Sequence, residues 1–393
     1  MNKYEKKIID WLEKYSIELG IIAVFILGLA VRWAVRNYVS DDATIFLLRW
    51  YDIVKENGGI KSLRQQVGDY TILYQFFIAL FTYLPVEPLF NYKILSGIFD
   101  VFLVGISGLL VWKITDKDRW KTFMVVAGLY LSPLVVFNSA CWGQCDSIYT
   151  FFCIIALYMI LEERYTLAFC AYGVAFAFKL QAIFMMPFVL LYYVRSKKFS
   201  VTKFIYITVM VLISGLPALV QGRGIGDIIW IYGNQVQEYS GGLVYNYPSF
   251  WNIFYDMEFP QYVDILSGAA MVMTVGVLLG IVIWAVNRNM QMTKYNCIWM
   301  AMLLSYACVL FLPTMHERYG YLCEILALLI VVLDKKTVFL VLPMYLCSFF
   351  AYGYYLFGVT YNIRIVSVIN LLVFVGYCIY FNMHRERDDE LVA

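Results

Sequence analysis

The chain has 393 residues, of which 62% are hydrophobic and only 15% charged. A soluble globular domain carries about 25% charged residues, so a water-soluble fold of this composition would leave apolar surface uncovered, and an all-α polytopic membrane protein is expected instead. The formal net charge of +2 offers no electrostatic footprint for nucleic acid or for a polybasic membrane contact.

Residues 1–15 form a charged amphipathic lead-in. They do not form a signal peptide, because no small-residue cleavage site follows the first apolar run. Apolar runs then fall at 18–35, 72–84, 94–114, 122–137, 147–161, 166–178, 182–194, 204–220, 265–286, 297–313, 320–333, 337–357 and 363–382. Lys3, Lys6, Lys7 and Lys14 fix the start on the cytoplasmic side, where positive loops stay. If every run crossed, the basic loops Lys117/Arg119/Lys121 and Arg195/Lys197/Lys198/Lys203 would emerge on the wrong side. The run 72–84 is short and bounded by Leu84-Pro85 and Glu87-Pro88, so it is expected to be interfacial or re-entrant.

Twelve spans then remain, with both termini cytoplasmic, in one integral-membrane domain over 1–393. A first part, 18–220, carries the first outer loop at 37–93. A second part, 221–393, supplies the outer loop 221–264 and the C-terminal helices. Arg288, Lys294, Lys335, Lys336, Arg385 and Arg387 join the basic side. The opposite side receives Asp41, Asp42, Asp69, Asp146, Asp227, Glu238, Asp256, Glu258 and Glu317. The first outer loop should carry an amphipathic helix from about Ala43. Phe46, Trp50, Ile53 and Val54 share one face, Arg49, Asp52 and Glu56 the other, and Gly58-Gly59 ends it. Such a helix is expected to lie on the bilayer surface. The NYPSFWNIF segment suggests an interfacial turn and helix. No internal repeat is visible, so an inverted-repeat transporter finds no support.

Several polar groups stand out against this apolar background. Ser40-Asp41-Asp42 can be a helix N-cap, because a carboxylate there meets free N–H groups and suits the helix dipole. It can equally be a proton acceptor. In Trp142-Gly143-Gln144-Cys145-Asp146-Ser147 the glycine allows a tight loop, and the indole suits a sugar face or a membrane interface. Asp146 can also cap the helix that follows. Lys179 lies between two apolar runs with no acid beside it, where an ionisable residue usually has a job unless it snorkels to the interface.

Lys93 and Asp100 bracket the first turns of one span and sit roughly on the same face, so a buried structural pair competes with catalysis. His316-Glu317-Arg318-Tyr319 is the most specific signal, since the chain has only two histidines. Arginine reads a phosphate through a planar fork, and histidine exchanges protons near neutral pH. The nine cysteines mostly sit in apolar runs as small hydrophobes. The Cys141/Cys145 spacing suits a helical face better than a zinc site. The absence of any Asn-x-Ser/Thr acceptor favours a bacterial cell membrane.

With these motifs in place, the sequence resembles the GT-C superfamily of membrane glycosyltransferases, and within it the bacterial relatives of the second mannosyltransferase of GPI-anchor assembly. The resemblance rests on SDDATIFLLRWYDIVKENGG, YTILYQF, WGQCDSIYTFF, FKLQAIFMMP and LPTMHERYGY, which occur in the family's order across residues 30–325. YTILYQF lacks the proline that such relatives often carry. The resemblance implies a GT-C fold and an inverting transfer of a hexose, mannose favoured, on the extracytoplasmic face. The donor would be a polyprenyl-phosphate-linked sugar. The acceptor would be a lipid-linked glycan, a wall polymer or a protein.

Asp42 is then the general base, with Asp41 second, and Arg318 and Lys179 hold the donor phosphate. Trp142, Gln144, Asp146, Gln181, His316, Glu317 and Tyr319 shape the sugar and acceptor pocket. Asp69, Lys93, Asp100, Tyr70 and Tyr74 are further candidates. No obligatory metal is expected, a divalent cation being the less favoured option. The rival reading is a transporter or flippase of a lipid-linked or sugar substrate. A separation of Asp42, Asp146 and Arg318 by more than about a helix diameter, ~10 Å, would favour that rival.

Overall fold

A computed structural model describes residues 1–238, 242–254 and 262–385, the side chains of 236–238 excepted. Asp256, Glu258 and Arg387, which the charge-asymmetry reading used, lie outside the described residues. Every regular element among the described residues is a helix. The first is α1 (Lys3–Lys14), an exposed amphipathic helix whose Asn2 and Glu5 form a reciprocal capping box. Next come α2 (Ser16–Ala34), α3 (Leu48–Glu56), α4 (Ile72–Phe81), α5 (Pro88–Ile114) and α6 (Arg119–Tyr130). They are followed by α7 (Pro133–Val136), α8 (Asp146–Leu161), α9 (Tyr165–Phe178) and α10 (Met186–Ser196). The second half contains α11 (Ile205–Ser214), α12 (Leu216–Val220), α13 (Ile225–Glu238), α14 (Val263–Asn287), α15 (Lys294–Phe311), α16 (Tyr321–Leu333), α17 (Val338–Phe357) and α18 (Ile363–His384).

Six helices are long and apolar enough to cross a membrane: Ser16–Ala34, Pro88–Ile114, Val263–Asn287, Lys294–Phe311, Lys335–Phe357 and Ile363–His384. A seventh crossing results if the bent pair Arg119–Tyr130 and Pro133–Trp142, which meet at 43°, counts as one span. The chain is therefore a helical membrane protein. The other expected spans fall on apolar helices of 10–17 residues: Asp146–Leu161, Tyr165–Phe178, Leu180–Ser196, Val201–Ser214 and Tyr321–Leu333. The short run expected to be re-entrant forms α4, ten residues long, and buries Tyr74, Gln75 and Ile78 in the protein interior.

The core is centred on α15. Every residue from Tyr295 to Phe311 is buried, as its all-round apolar sequence requires. Around it pack α10, α14, α16, α18 and the 3-10 turn Leu180–Met185. The NYPSFWNIF segment does form a turn and a short 3-10 helix, Phe250–Phe254. It docks into the bundle through a buried Tyr247, a Trp251 indole donating to Phe311 O at 2.7 Å, and Asn370 donating to Pro248 O at 2.9 Å.

The expected face of the first-loop helix is corrected. A π-helical turn, Ala43–Leu47, precedes α3 and inserts one residue into the helical count. The buried stripe is Ala43, Leu47, Tyr51 and Val54, because α3 packs on α4, α5 and the 3-10 turn Gly59–Arg64 through that face. Phe46 is exposed, while Trp50 and Ile53 are half-buried. The helix ends at Gly58, whose φ of 84° is left-handed, as the glycine pair led one to expect.

Candidate functional site

Ser40 opens the first-loop helix. Its hydroxyl accepts the Ala43 N–H at 3.2 Å, the N-cap bond to the third helical residue. The carboxylates are thus freed from capping. Neither makes a cap bond among the described residues, which corrects the capping reading of the acidic pair. Asp41 points outward and is exposed. Asp42 turns in and is only 8% exposed. Its Oδ2 accepts Trp142 Nε1–H at 2.9 Å and Gln144 Nε2–H at 2.6 Å, and its Oδ1 accepts the Tyr355 hydroxyl at 3.2 Å.

Trp142 closes a second π-helical stretch, Phe137–Trp142, which Gly143 terminates at φ 75° just before Gln144, while Tyr355 comes from α17. Two such turns bordering one carboxylate suit a functional site, where π-bulges concentrate. The Gln144 side-chain oxygen accepts the Tyr70 hydroxyl at 2.8 Å, and this directs its amide N–H toward Asp42. Burial, the largest influence, holds the Tyr70 phenol well above its usual pKa, so it remains a donor. The Trp142 ring stacks on Tyr355 at 4.7 Å, meets Tyr352 edge-on at 5.6 Å, and lies 4.9 Å from the Arg318 guanidinium.

Asp146 begins α8, but its carboxylate does not cap the helix. Its Oδ1 pairs with Lys179 Nζ at 2.5 Å, and its Oδ2 accepts Asn138 Nδ2–H at 2.8 Å and lies 3.9 Å from Arg318 Nε. Lys179 can reach inward because the backbone is extended there (φ −157°, ψ 135°), between α9 and the following 3-10 turn. Snorkelling is therefore not its role. Glu317 Oε1 accepts Arg318 Nη1–H at 2.9 Å, and Glu317 Oε2 accepts Asn246 Nδ2–H at 3.2 Å.

Burial opposes the Arg318 charge. Asp42, Glu317, Tyr319 and Asp146 outweigh it and hold the guanidinium pKa well above its ordinary value. His316 stacks on Tyr245 at 4.5 Å. Burial first, then the Arg318 and Lys179 charges, push its pKa down to about 3. His316 is therefore a neutral imidazole near pH 7 and not the proton donor its ordinary pKa suggests.

A cavity of about 100 Å³ opens between these elements. Of the expected residues, Asp42, Asp69, Tyr70, Lys179, Gln181, Arg318 and Tyr319 line it. Trp142, Gln144, Asp146, His316 and Glu317 stand behind that lining, linked to it by the contacts above. Tyr74 is buried with its ring 4.5 Å from that of Tyr70. Phe46, Leu47, Trp50, Leu180 and Gln235 complete the wall. The α17 residue Tyr355 has no motif around it that sequence reasoning could use.

The expected Lys93–Asp100 pair does not form. Asp100 pairs with Arg32, whose Nη2 is 2.8 Å away, and also accepts the Ser139 hydroxyl at 2.5 Å. Lys93 Nζ donates instead to the carbonyls of Arg36 at 2.9 Å and Tyr38 at 2.6 Å. Neither Lys93 nor Asp100 lines the cavity. An arginine inside the first apolar run was the signal for this pair, since intramembrane charges come with partners.

No group of three or more His, Cys, Asp or Glu residues among the described residues is placed to hold a metal ion. No family model matches the chain, and no curated protein is significantly similar to it.

Proposed function

We propose that the chain is a GT-C-type glycosyltransferase. It would move a hexose, mannose favoured, from a polyprenyl-phosphate-linked donor to an acceptor hydroxyl, with inversion. In this reading twelve helices span a bacterial cell membrane, the cavity faces outside, and both termini are cytoplasmic. The observation that carries it is the position of Asp42. A buried carboxylate, held by three neutral donors, shares one cavity wall with Arg318 and Lys179.

The chemistry follows from those roles. Asp42 accepts the proton of the acceptor hydroxyl as that oxygen bonds to the anomeric carbon. The bond from that carbon to the phosphate oxygen breaks, and polyprenyl phosphate leaves with the electron pair. Fixed cations stabilise the developing charge. Arg318 gives Nη1 to Glu317, and no side chain among the described residues accepts from its Nη2. That edge is left for an anionic oxygen. Tyr70, Tyr319 and Trp50 give the cavity an aromatic lining suited to a sugar ring.

A transporter would need its site near the membrane midplane and open to both sides in turn. The transferase reading draws support from the clustering of acids and cations: Arg318 is 3.9 Å from Asp146 and 4.9 Å from the indole that binds Asp42. The test is transfer of labelled sugar from a polyprenyl-phosphate donor by the purified chain, alongside donor binding. Arg318→Ala and Lys179→Ala should weaken donor binding. Normal binding by both variants removes the phosphate assignment, and transport of intact donor without sugar transfer favours the rival.

A further inference from the structure

A second concave surface lies apart from the cavity. α2 and α5 both pack on α6 and leave between them a groove of about 290 Å³. Its sides are apolar: Leu29, Phe90, Ile94, Ile98 and Val101. Several face outward, Leu29 being 59% and Ile98 46% exposed. Tyr130 and Arg32 lie at its base, and Arg32 is consumed by Asp100.

Two further cations sit at the end of the groove nearest the Ser40–Asp42 turn. Lys93 is 6% exposed and spends two of its three N–H groups on the carbonyls of Arg36 and Tyr38. Arg36 donates Nη1–H to Trp33 O at 2.7 Å and lies 4.0 Å over the Trp33 ring. No carboxylate among the described residues is within ion-pair distance of either. Two cations without an ion-pair partner beside an apolar trough favour an anion that carries an apolar chain. A helical membrane protein is surrounded by such anions, each tethered to a hydrocarbon chain.

We propose that this groove binds one anionic phospholipid of the surrounding bilayer. Its phosphate meets Arg36 and Lys93, and one acyl chain lies along Leu29, Ile94, Ile98 and Val101. Gly97 keeps the trough open, since a Cβ there would meet no atom within 4 Å. The site is independent of the glycosyltransferase reading. It also adjoins the Asp42 shell, because Lys93 clamps the backbone just before Ser40 and its Cγ lies 3.7 Å from where a Gly143 Cβ would stand. A bound phosphate therefore stiffens the turn that carries Asp42.

The experiment uses the full chain, delipidated in detergent, with phosphatidylglycerol or phosphatidylcholine added back. Native mass spectrometry counts the retained lipid, and a thermal melt reports stabilisation. Phosphatidylglycerol should be retained at one per chain, about tenfold more tightly than phosphatidylcholine, and should raise the melting midpoint. Gly97→Leu fills the trough, so it should abolish retention while leaving the lipid-free midpoint unchanged. Arg36→Gln should weaken retention about tenfold. Equal retention of the two lipids overturns the proposal. So does retention surviving in both variants, or the same midpoint rise with inorganic phosphate alone.

Discussion

Trp142 Nε1 donates to Asp42 Oδ2 over 2.9 Å, joining residues 100 positions apart in the chain. The bond turns two helix-end segments into one wall. It also decides which member of the acidic pair faces the cavity, because the neighbouring Asp41 is left in the open.

Asp42 and Asp41 should separate sharply in an assay. Asp42→Asn is expected to reduce sugar transfer at least about 100-fold, the scale of a lost general base, while Asp41→Asn stays within a few-fold of the parent. Initial rates with labelled donor measure both. Equal loss in the two variants would remove the base from Asp42.

Breaking the Arg32–Asp100 pair should destabilise the fold without touching the cavity. Asp100 is fully buried, and removing one partner of a buried pair costs about 3–5 kcal/mol. Asp100→Asn and Arg32→Gln should each lower the melting midpoint in detergent, and the double variant should lose less than the two effects added. Strict additivity would show that the pair is not coupled.

Gly143 tests the second π-helical stretch. An alanine Cβ there would make only ordinary contacts, the nearest at 3.5 Å to Tyr92, so the penalty is the left-handed backbone, about 1–2 kcal/mol. Gly143→Ala should therefore lower the melting midpoint modestly and impair activity by shifting Trp142 and Gln144 away from Asp42. An unchanged midpoint would argue against this geometry.

His316 gives a signed pH dependence. Its folded pKa of about 3 lies below the ordinary 6.5, so between those values the unfolded chain binds the extra proton. Its contribution to stability is complete above pH 6.5 and falls with acidification, by about 1.4 kcal/mol per pH unit. Comparing acid melting of the parent with His316→Gln isolates that slope. A variant whose acid profile matches the parent's would contradict the neutral imidazole.

Composition and run length determined the class: 62% hydrophobic residues in long apolar stretches leave helices in a bilayer as the way to satisfy the backbone. They also set off the unusual polar groups, because charge is conspicuous against such a background. Asp42, Asp146, Lys179 and Arg318 are visible that way, Trp142 and Gln144 through the motif that ends in Asp146-Ser147, and the structure brings them into one cluster. Their pairing was not legible. Local spacing joined Lys93 to Asp100, seven positions on, whereas the ion pair runs to Arg32, 68 positions back. Spacing within a helix gives a residue's face but says nothing of which other helix lies against it.

The first-loop helix shows the same limit. Its existence and its end at Gly58 followed from pattern and turn chemistry, but packing against α4 and α5 put Leu47 and Tyr51 inside in place of Phe46 and Trp50. Tyr355 carried no signal at all, being one tyrosine among 33, and only helix packing brought its hydroxyl to Asp42. What the tertiary structure alone decided is partnership. A carboxylate becomes a cap, a structural ion or a candidate base through the groups that distant chain segments bring to it.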